Sequence, residues 1–179
     1  VANKIGLFFG SDDGNTESVA TRIANRITGD IDIVDISDAT QVSFAKYSAI
    51  ILGIPTWDFG QIQSDWEEFW DDIQEVDFTG KTVALFGLGD QFGYGDFFLD
   101  ALGMLHDVII ANGATVIGYW PVEGYEFDAS KALTPDETHF VGLGLDEDQQ
   151  PEQTSTRLNT WLAQIAADLD ITVISIDDE

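Results

Sequence analysis

From Ile5 to Leu169, short apolar runs alternate with longer stretches in which apolar residues return every third or fourth position. Lys4 to Gly10 is an apolar run ending in glycine, and polar Ser11 to Thr16 leads from it into a stripe of Val19, Ile23 and Ile27. That order predicts strand, loop, helix. Ile31 to Ile36 alternates apolar residues with Asp32 and Asp35, the period of a strand, and a short weak helix is expected over Val42 to Tyr47. Ser48 to Gly53 is almost wholly apolar, as a central strand covered on both faces must be. Ser64 and Glu67 have capping-box spacing and open a helix carrying Trp66, Phe69, Trp70 and Ile73. Thr82 to Gly87 predicts another buried strand, and Phe98, Ala101, Leu102, Leu105, Val108 and Ile109 predict a helix that stops at Asn112-Gly113. Thr115 to Trp120 and Phe140 to Leu145 read as two strand segments, and Leu158, Trp161, Leu162, Ile165 and Leu169 mark a final helix. Ile171 to Ile176 fits a short extra strand or a frayed end, kept soluble by Asp177, Asp178 and Glu179.

Strands that alternate with helices pair in parallel through right-handed crossovers, which gives an open, doubly wound α/β sheet with helices on both faces. No repeat or low-complexity linker interrupts residues 1–179, so one domain is expected. The polar stretch Pro121 to His139 is an insertion within the fold, too short for a second domain. Sheets of this kind bind ligands at the carboxyl ends of their strands, which directs attention to three loops.

Ser11-Asp12-Asp13-Gly14-Asn15-Thr16 offers hydroxyls, a glycine and the start of a helix, so its backbone N–H groups and helix dipole suit a phosphate. An ordinary helix cap explains the same residues equally well. The loop is not a Walker loop, since Gly10 and Gly14 are too close together and no lysine follows. Neither it nor Gly87-Leu88-Gly89, where Phe92 takes the third glycine position, meets the dinucleotide fingerprint. Pro55-Thr56-Trp57-Asp58-Phe59-Gly60 puts an indole in a turn, either packed over the core edge or offered to an aromatic ligand. Gly87 to Asp96 sets Tyr94 among glycines in the next loop, expected to lie beside the Trp57 loop.

Composition narrows the chemistry. Without cysteine, thiol catalysis, disulfides and iron–sulfur ligation are excluded, and His106 and His139 alone make a poor metal site. Redox chemistry would need a bound organic cofactor. Against 7 Lys plus Arg stand 33 Asp plus Glu, a formal charge of -26 that repels nucleic acid and anionic membranes and favours basic partners. The same excess also fits a surface solvated for a salty medium. No apolar run reaches the length of a membrane span, and Val1 to Gly10 lacks the features of a signal peptide, so a cytoplasmic protein is expected.

A phosphate cradle and two aromatic loops at one edge suit a phosphorylated flat ring, and here the chain resembles the flavodoxins. Ser11, Gly14 and Thr16 match that family's Ser/Thr-x-Thr-Gly-x-Thr loop, and Gly53-Ile54-Pro55-Thr56-Trp57 and Gly87-Leu88-Gly89-Asp90-Gln91 are similar to its isoalloxazine loops. Gly124-Tyr125, Phe140 to Leu143 and Leu145 to Asp148 are similar to its long-chain branch, whose last strand is split by an insertion. The resemblance implies a five-stranded parallel sheet in the order 2-1-3-4-5 and one non-covalently bound FMN. Ser11, Asp12, Asp13, Gly14, Asn15 and Thr16 would then surround the phosphate, and Trp57 and Tyr94 would stack on opposite faces of the flavin. Pro55, Thr56, Asp58, Phe59 and Gly60, with Gly87, Leu88, Gly89 and Phe97, would complete its pocket. Asp90 would meet the pyrimidine edge and Asp146 the ribityl chain.

The resemblance also implies a monomeric, low-potential one-electron carrier between a flavodoxin reductase and electron-accepting enzymes. In such a carrier the peptide here formed by Asp58 and Phe59 turns its carbonyl toward the flavin N5, and Asp58 tolerates the backbone angles involved. A field of carboxylates with no lysine or arginine nearby would make negative charge on the reduced flavin costly. Asp13 departs from the pattern, standing where the family has threonine. Its carboxylate opposes a phosphate dianion unless it turns outward or caps the helix near Asn15, and the helix dipole favours that arrangement. Two rivals share the architecture. A response-regulator receiver needs an aspartate at the end of the third strand, where Gly53-Ile54-Pro55 stands, and a lysine after the fifth, where Trp120-Pro121 stands. An FMN-dependent quinone reductase remains the alternative, because fold does not fix function.

Overall fold

The computed structural model describes residues 4–177, so Asp178 and Glu179 of the tail and Val1 to Asn3 of the first segment lie outside the described residues. In chain order its main elements are β1 (Ile5–Phe9), α1 (Asn15–Arg26), β2 (Ile31–Asp35), β3 (Ala49–Trp57), α2 (Ser64–Glu75), β4 (Thr82–Leu88), α3 (Asp100–Ala111), β5 (Thr115–Ile117), β6 (Leu143–Leu145) and α4 (Thr154–Leu169). The expected weak helix is a 3-10 segment, Gln41–Lys46.

The sheet runs β2-β1-β3-β4, all parallel, and β4 carries the two short strands on its far edge. Thr115 to Ile117 pairs with Thr82 to Ala84, and Leu143 to Leu145 pairs with Phe86 to Leu88. β5 and β6 are therefore two halves of one fifth strand, and the sheet order 2-1-3-4-5 is met with that strand split. Between the halves, Trp120–Pro121 pairs antiparallel with His139–Phe140 and closes the base of the insertion. Tyr125 and Phe127 of the insertion pack their rings within 6.0 Å of Phe98 and Phe140, which anchors it to the core.

Both faces of the sheet are covered, so strand residues alternate between two cores. Ile50, Leu52 and Ile54 of β3 pack with Trp66, Phe69, Leu102 and Leu105 beneath α2 and α3. Ala49 and Ile51 pack with Val19, Ile23, Trp161 and Leu162 beneath α1 and α4. This double burial is the reason β3 reads as an unbroken apolar run.

Two expectations change, and of the two alternatives for the tail the strand is observed. β3 does not stop at Gly53 but runs through Pro55 to Trp57, because the glycine makes room for the Phe86 ring against the backbone rather than turning the chain. Ser64 is the first residue of α2 and not its cap: Gln63 Oε1 accepts from Trp66 N at 3.2 Å and takes that role. The tail is a short strand, Thr172–Val173, antiparallel to Ile27–Thr28. Buried Arg26 helps hold it, donating to Ile176 O at 3.0 Å and to Ser155 Oγ at 2.8 Å. Among the described residues no helix is long and apolar enough to cross a membrane.

Candidate functional site

The chain leaves β1 toward β2 on one side and later crosses to β3 on the other, which makes the carboxyl edge between β1 and β3 the topological switch point. A cleft of about 220 Å³ opens there, lined from the ends of β1, β3, β4 and β6. Of the residues expected at a site, Asp13, Asn15, Thr16, Pro55, Thr56, Trp57, Asp58, Leu88, Gly89, Asp90 and Tyr94 line it.

In the first loop Gly14 adopts φ +89, a left-handed angle suited to glycine, and α1 starts directly after it. Ser11 Oγ accepts from Gly14 N at 3.0 Å and so braces the turn. Asp12 faces away, its Oδ1 accepting from Gln63 Nε2 at 2.9 Å and Ser64 Oγ at 3.3 Å. Asp13 Oδ1 accepts from Asn15 N at 2.9 Å, and its Oδ2 from Asn15 Nδ2 at 3.1 Å. Asp13 thus binds the first N–H of α1 and is also one of the residues that line the cleft.

Trp57 is not in a turn: it ends β3 and pairs with Gln61 in a tight hairpin. The three residues between turn through positive φ at Asp58 (43°) and Gly60 (84°). Asp58 therefore does adopt the backbone region for which its short polar side chain is suited. Phe59 projects from the tip, 71% exposed, with Tyr94 and Phe97 edge-on at 6.0 and 5.7 Å, and neither Phe59 nor Phe97 is among the residues that line the cleft. Gly60 lies over Asp100, whose Oδ2 would be 2.8 Å from an added Cβ. Thr56 lines the cleft while its hydroxyl accepts from Ala101 N at 3.0 Å, fixing α3 to the site.

In the third loop Asp90 Oδ1 accepts from Gly93 N at 2.8 Å, Phe92 N at 3.1 Å and Gln149 Nε2 at 3.0 Å. Burial opposes its charge, yet these donors outweigh burial and hold the carboxyl below its usual range. Tyr94 is 39% exposed, and the charge of Asp58, followed by a hydrogen bond to it, pushes its phenol up. Gly87 stays within β4 against Leu102.

Asp146 is fully buried and does not line the cleft. Its Oδ1 accepts from Asp148 N and Gln149 N, and its Oδ2 from Gln91, so its side chain positions two loops. Its neighbours Glu147 and Asp148 line the cleft, unforeseen in the sequence. They follow β6 at the same carboxyl edge, and the rule that selected the other three loops selects this one too. Burial, then the charges of Asp90, Asp146, Asp13 and Glu147, push the Asp148 carboxyl up. Among the described residues no lysine or arginine lines the cleft, but Arg22 comes within 3.7 Å of Glu147, so the surroundings are not wholly free of cations.

Three buried side-chain polar atoms lack a partner among the described residues, and two of them, Thr16 Oγ1 and Trp57 Nε1, belong to residues lining this cleft. A buried donor without a partner costs roughly 1–3 kcal/mol, so a ligand with acceptors is the natural complement. The apolar surfaces of Trp57, Tyr94, Pro55 and Leu88 suit a flat aromatic body, and the donors suit phosphate and carbonyl oxygens. The residues present fit a phosphorylated flavin, with the five carboxylates Asp13, Asp58, Asp90, Glu147 and Asp148 as the exception in charge.

A family model described as flavodoxin matches residues 7–161. Flavodoxin 1 of Salmonella typhimurium is 48% identical over 165 residues, covering 92% of this chain and 93% of that protein. A flavodoxin of Synechocystis is 51% identical over 164 residues, with 90% and 95% covered. Among solved structures, the flavodoxin of Fusobacterium nucleatum bound to flavin mononucleotide superposes with a TM-score of 0.85 at 27% identity, over 93% of this chain and 98% of that one. With the sheet order, the split fifth strand and the cleft at the switch point already in agreement, these similarities establish that the chain belongs to the flavodoxin family.

Proposed function

We propose that this chain binds one FMN non-covalently in the cleft and carries single electrons between redox partner proteins. The observation that carries the reading is the pair of orphaned donors, Thr16 Oγ1 and Trp57 Nε1, in an aromatic-walled cleft at the switch point. When bound, FMN supplies reversible one-electron redox chemistry, and the protein tunes it. Thr16 and the α1 N-terminus hold the phosphate, Trp57 and Tyr94 cover the ring, and the Asp58–Phe59 peptide, set by Asp58 and Gly60 at positive φ, presents its polar groups to the ring edge. The carboxylates around the cleft raise the cost of placing two electrons there, which favours single-electron traffic at low potential. Donor and acceptor proteins that meet this rim carry basic surfaces.

Stepwise reduction of the FMN-loaded protein, followed in the visible spectrum, tests the reading. Saturation at one FMN per chain and two separated one-electron steps are expected. No flavin binding on titration would overturn it, and steady nicotinamide oxidation by the protein alone would favour an FMN-dependent quinone reductase instead.

A further inference from the structure

The least expected feature of the cleft is a carboxylate on the helix end that should receive a phosphate. Asp13 takes the N–H of Asn15, the first helical residue, and the side-chain amide of the same residue. Ser11 takes the N–H of Gly14. Two backbone donors of the turn and one side-chain donor are therefore satisfied from within the loop, while the hydroxyl of Thr16, a residue 1% exposed, is not. The loop is an anion site already partly filled by an anion of its own. Asp148 lines the same cleft and feels the charge of Asp13, so the end of the cleft that receives a phosphate carries negative charge from two loops.

We infer that Asp13 is a specificity-determining residue, a resident anion that a phosphate must displace or lie beside, and that it sets how far the cleft prefers FMN over phosphate-free riboflavin. The inference rests on the cleft being the flavin site. Two consequences follow from electrostatics. Repulsion acts on the phosphate and not on the neutral ring, so Asp13 weakens FMN and leaves riboflavin untouched. Salt screens that repulsion, so FMN binding strengthens as ionic strength rises, opposite to the behaviour of a phosphate site built from lysine or arginine.

The test titrates the full-length apoprotein with FMN and, separately, with riboflavin, at low and high salt. Wild type is compared with Asp13→Asn, with Asp13→Thr, and with Asp168→Asn, an equal change of charge at the exposed far end of α4. Asparagine and threonine can each accept the Asn15 N–H two residues on, as Asp13 does, so the fold of the loop is kept. FMN affinity at low salt should rise by roughly tenfold in both Asp13 variants, the size expected for removing a like charge beside the ligand. Riboflavin affinity should not move, the salt dependence for FMN should flatten, and Asp168→Asn should match wild type. If wild type binds both flavins and the Asp13 variants keep its ratio of affinities, the inference is overturned. An equal gain in Asp168→Asn would also overturn it, by assigning the effect to net charge. Failure of wild type to bind either flavin would instead overturn the reading of the cleft.

Discussion

Asp146 and Gln91, 55 residues apart in the chain, are joined twice: Asp146 Oδ2 accepts from the backbone N–H and from Nε2 of Gln91, each at 2.9 Å. Gln91 Oε1 in turn accepts from Glu126 N at 2.6 Å, and Gln91 Nε2 also donates to Gln150. The loop after β4, the loop after β6 and the insertion thus meet at one buried glutamine. Tyr94, Asp90 and Asp148 inherit their positions from that knot.

Asp146→Ala takes the acceptor from three backbone N–H groups, those of Gln91, Asp148 and Gln149, and one of two acceptors from the Gln91 amide, which keeps Gln150. The expected loss is on the order of 3 kcal/mol, seen as a lower urea midpoint at unchanged m. FMN affinity should fall with it, because two walls of the cleft loosen together. Wild-type stability in Asp146→Ala would mean that the loops are held by other contacts.

The aromatic walls can be tested by separating ring from donor. Trp57→Ala and Tyr94→Ala each remove a stacking face, and FMN binding should weaken by about 1–3 kcal/mol. Trp57→Phe keeps a ring but removes the buried indole N–H that lacks a partner, and should weaken binding by about 1 kcal/mol. Unchanged affinity in both alanine variants would reduce the two rings to surface packing.

Away from the cleft, a part-buried pair makes stability depend on pH. Tyr47 OH donates to Asp32 Oδ2 at 2.6 Å. Burial first, then this bond and the charge of Asp32, push the Tyr47 phenol up to about 12. The same bond first, with Lys4 assisting against burial, holds the Asp32 carboxyl below its usual range. Tyr47→Phe should cost about 1 kcal/mol near neutral pH, since the part-exposed carboxylate is screened by solvent. The carboxylate contribution is present above the ordinary aspartate range and is lost as pH falls through the depressed folded value. The phenol contribution is full below the unfolded tyrosine value of about 10 and is lost as pH rises toward about 12. The difference in urea midpoint between wild type and Tyr47→Phe should therefore shrink at both ends of the pH range. A difference constant from acid to alkali would show that the hydroxyl contributes only packing.

Most of the fold was legible because each buried strand and each amphipathic helix carries its own period, and β3 and α3 show it clearly. What escaped depends on contacts between distant residues. Gly53 looked like a strand end because glycine usually breaks a strand, yet here it accommodates Phe86 from the next strand. Ser64 looked like a cap because the local sequence cannot show that Gln63, held by Asp12 from another loop, is better placed. At the site, the three loops after β1, β3 and β4 announced themselves by glycine and aromatic residues. Glu147 and Asp148 carry no such mark, since acidic residues are everywhere in this chain, and only the sheet order brings them to the cleft. The bonds of Asp146 were illegible for the same reason: which donors surround a carboxylate is decided by the fold, not by its neighbours in sequence.

The last prediction concerns the approach of partners. Glu67 and Glu68 of α2 and Asp96 of the Tyr94 loop are exposed, whereas Asp65 is half-buried and bound to Gln63 Nε2 at 2.9 Å. The first three are free to meet a basic surface, and Asp65 contributes less because its carboxylate is already engaged. With a formal charge of -26 on the chain, the long-range field would steer a basic donor toward contact, and the rate of electron uptake should then fall as salt rises. The screening length shrinks to about 8 Å near physiological ionic strength, shorter than the distances over which steering acts. Removing two rim charges in a Glu67→Gln, Glu68→Gln double variant should slow uptake from a basic reductase by about three- to tenfold at low salt and flatten the salt profile. The same change at Asp65→Asn should be smaller. Stopped-flow reduction across a salt series reads each of these directly, and a rate that stays constant from low to physiological salt would show that collision, not charge, brings the partners together.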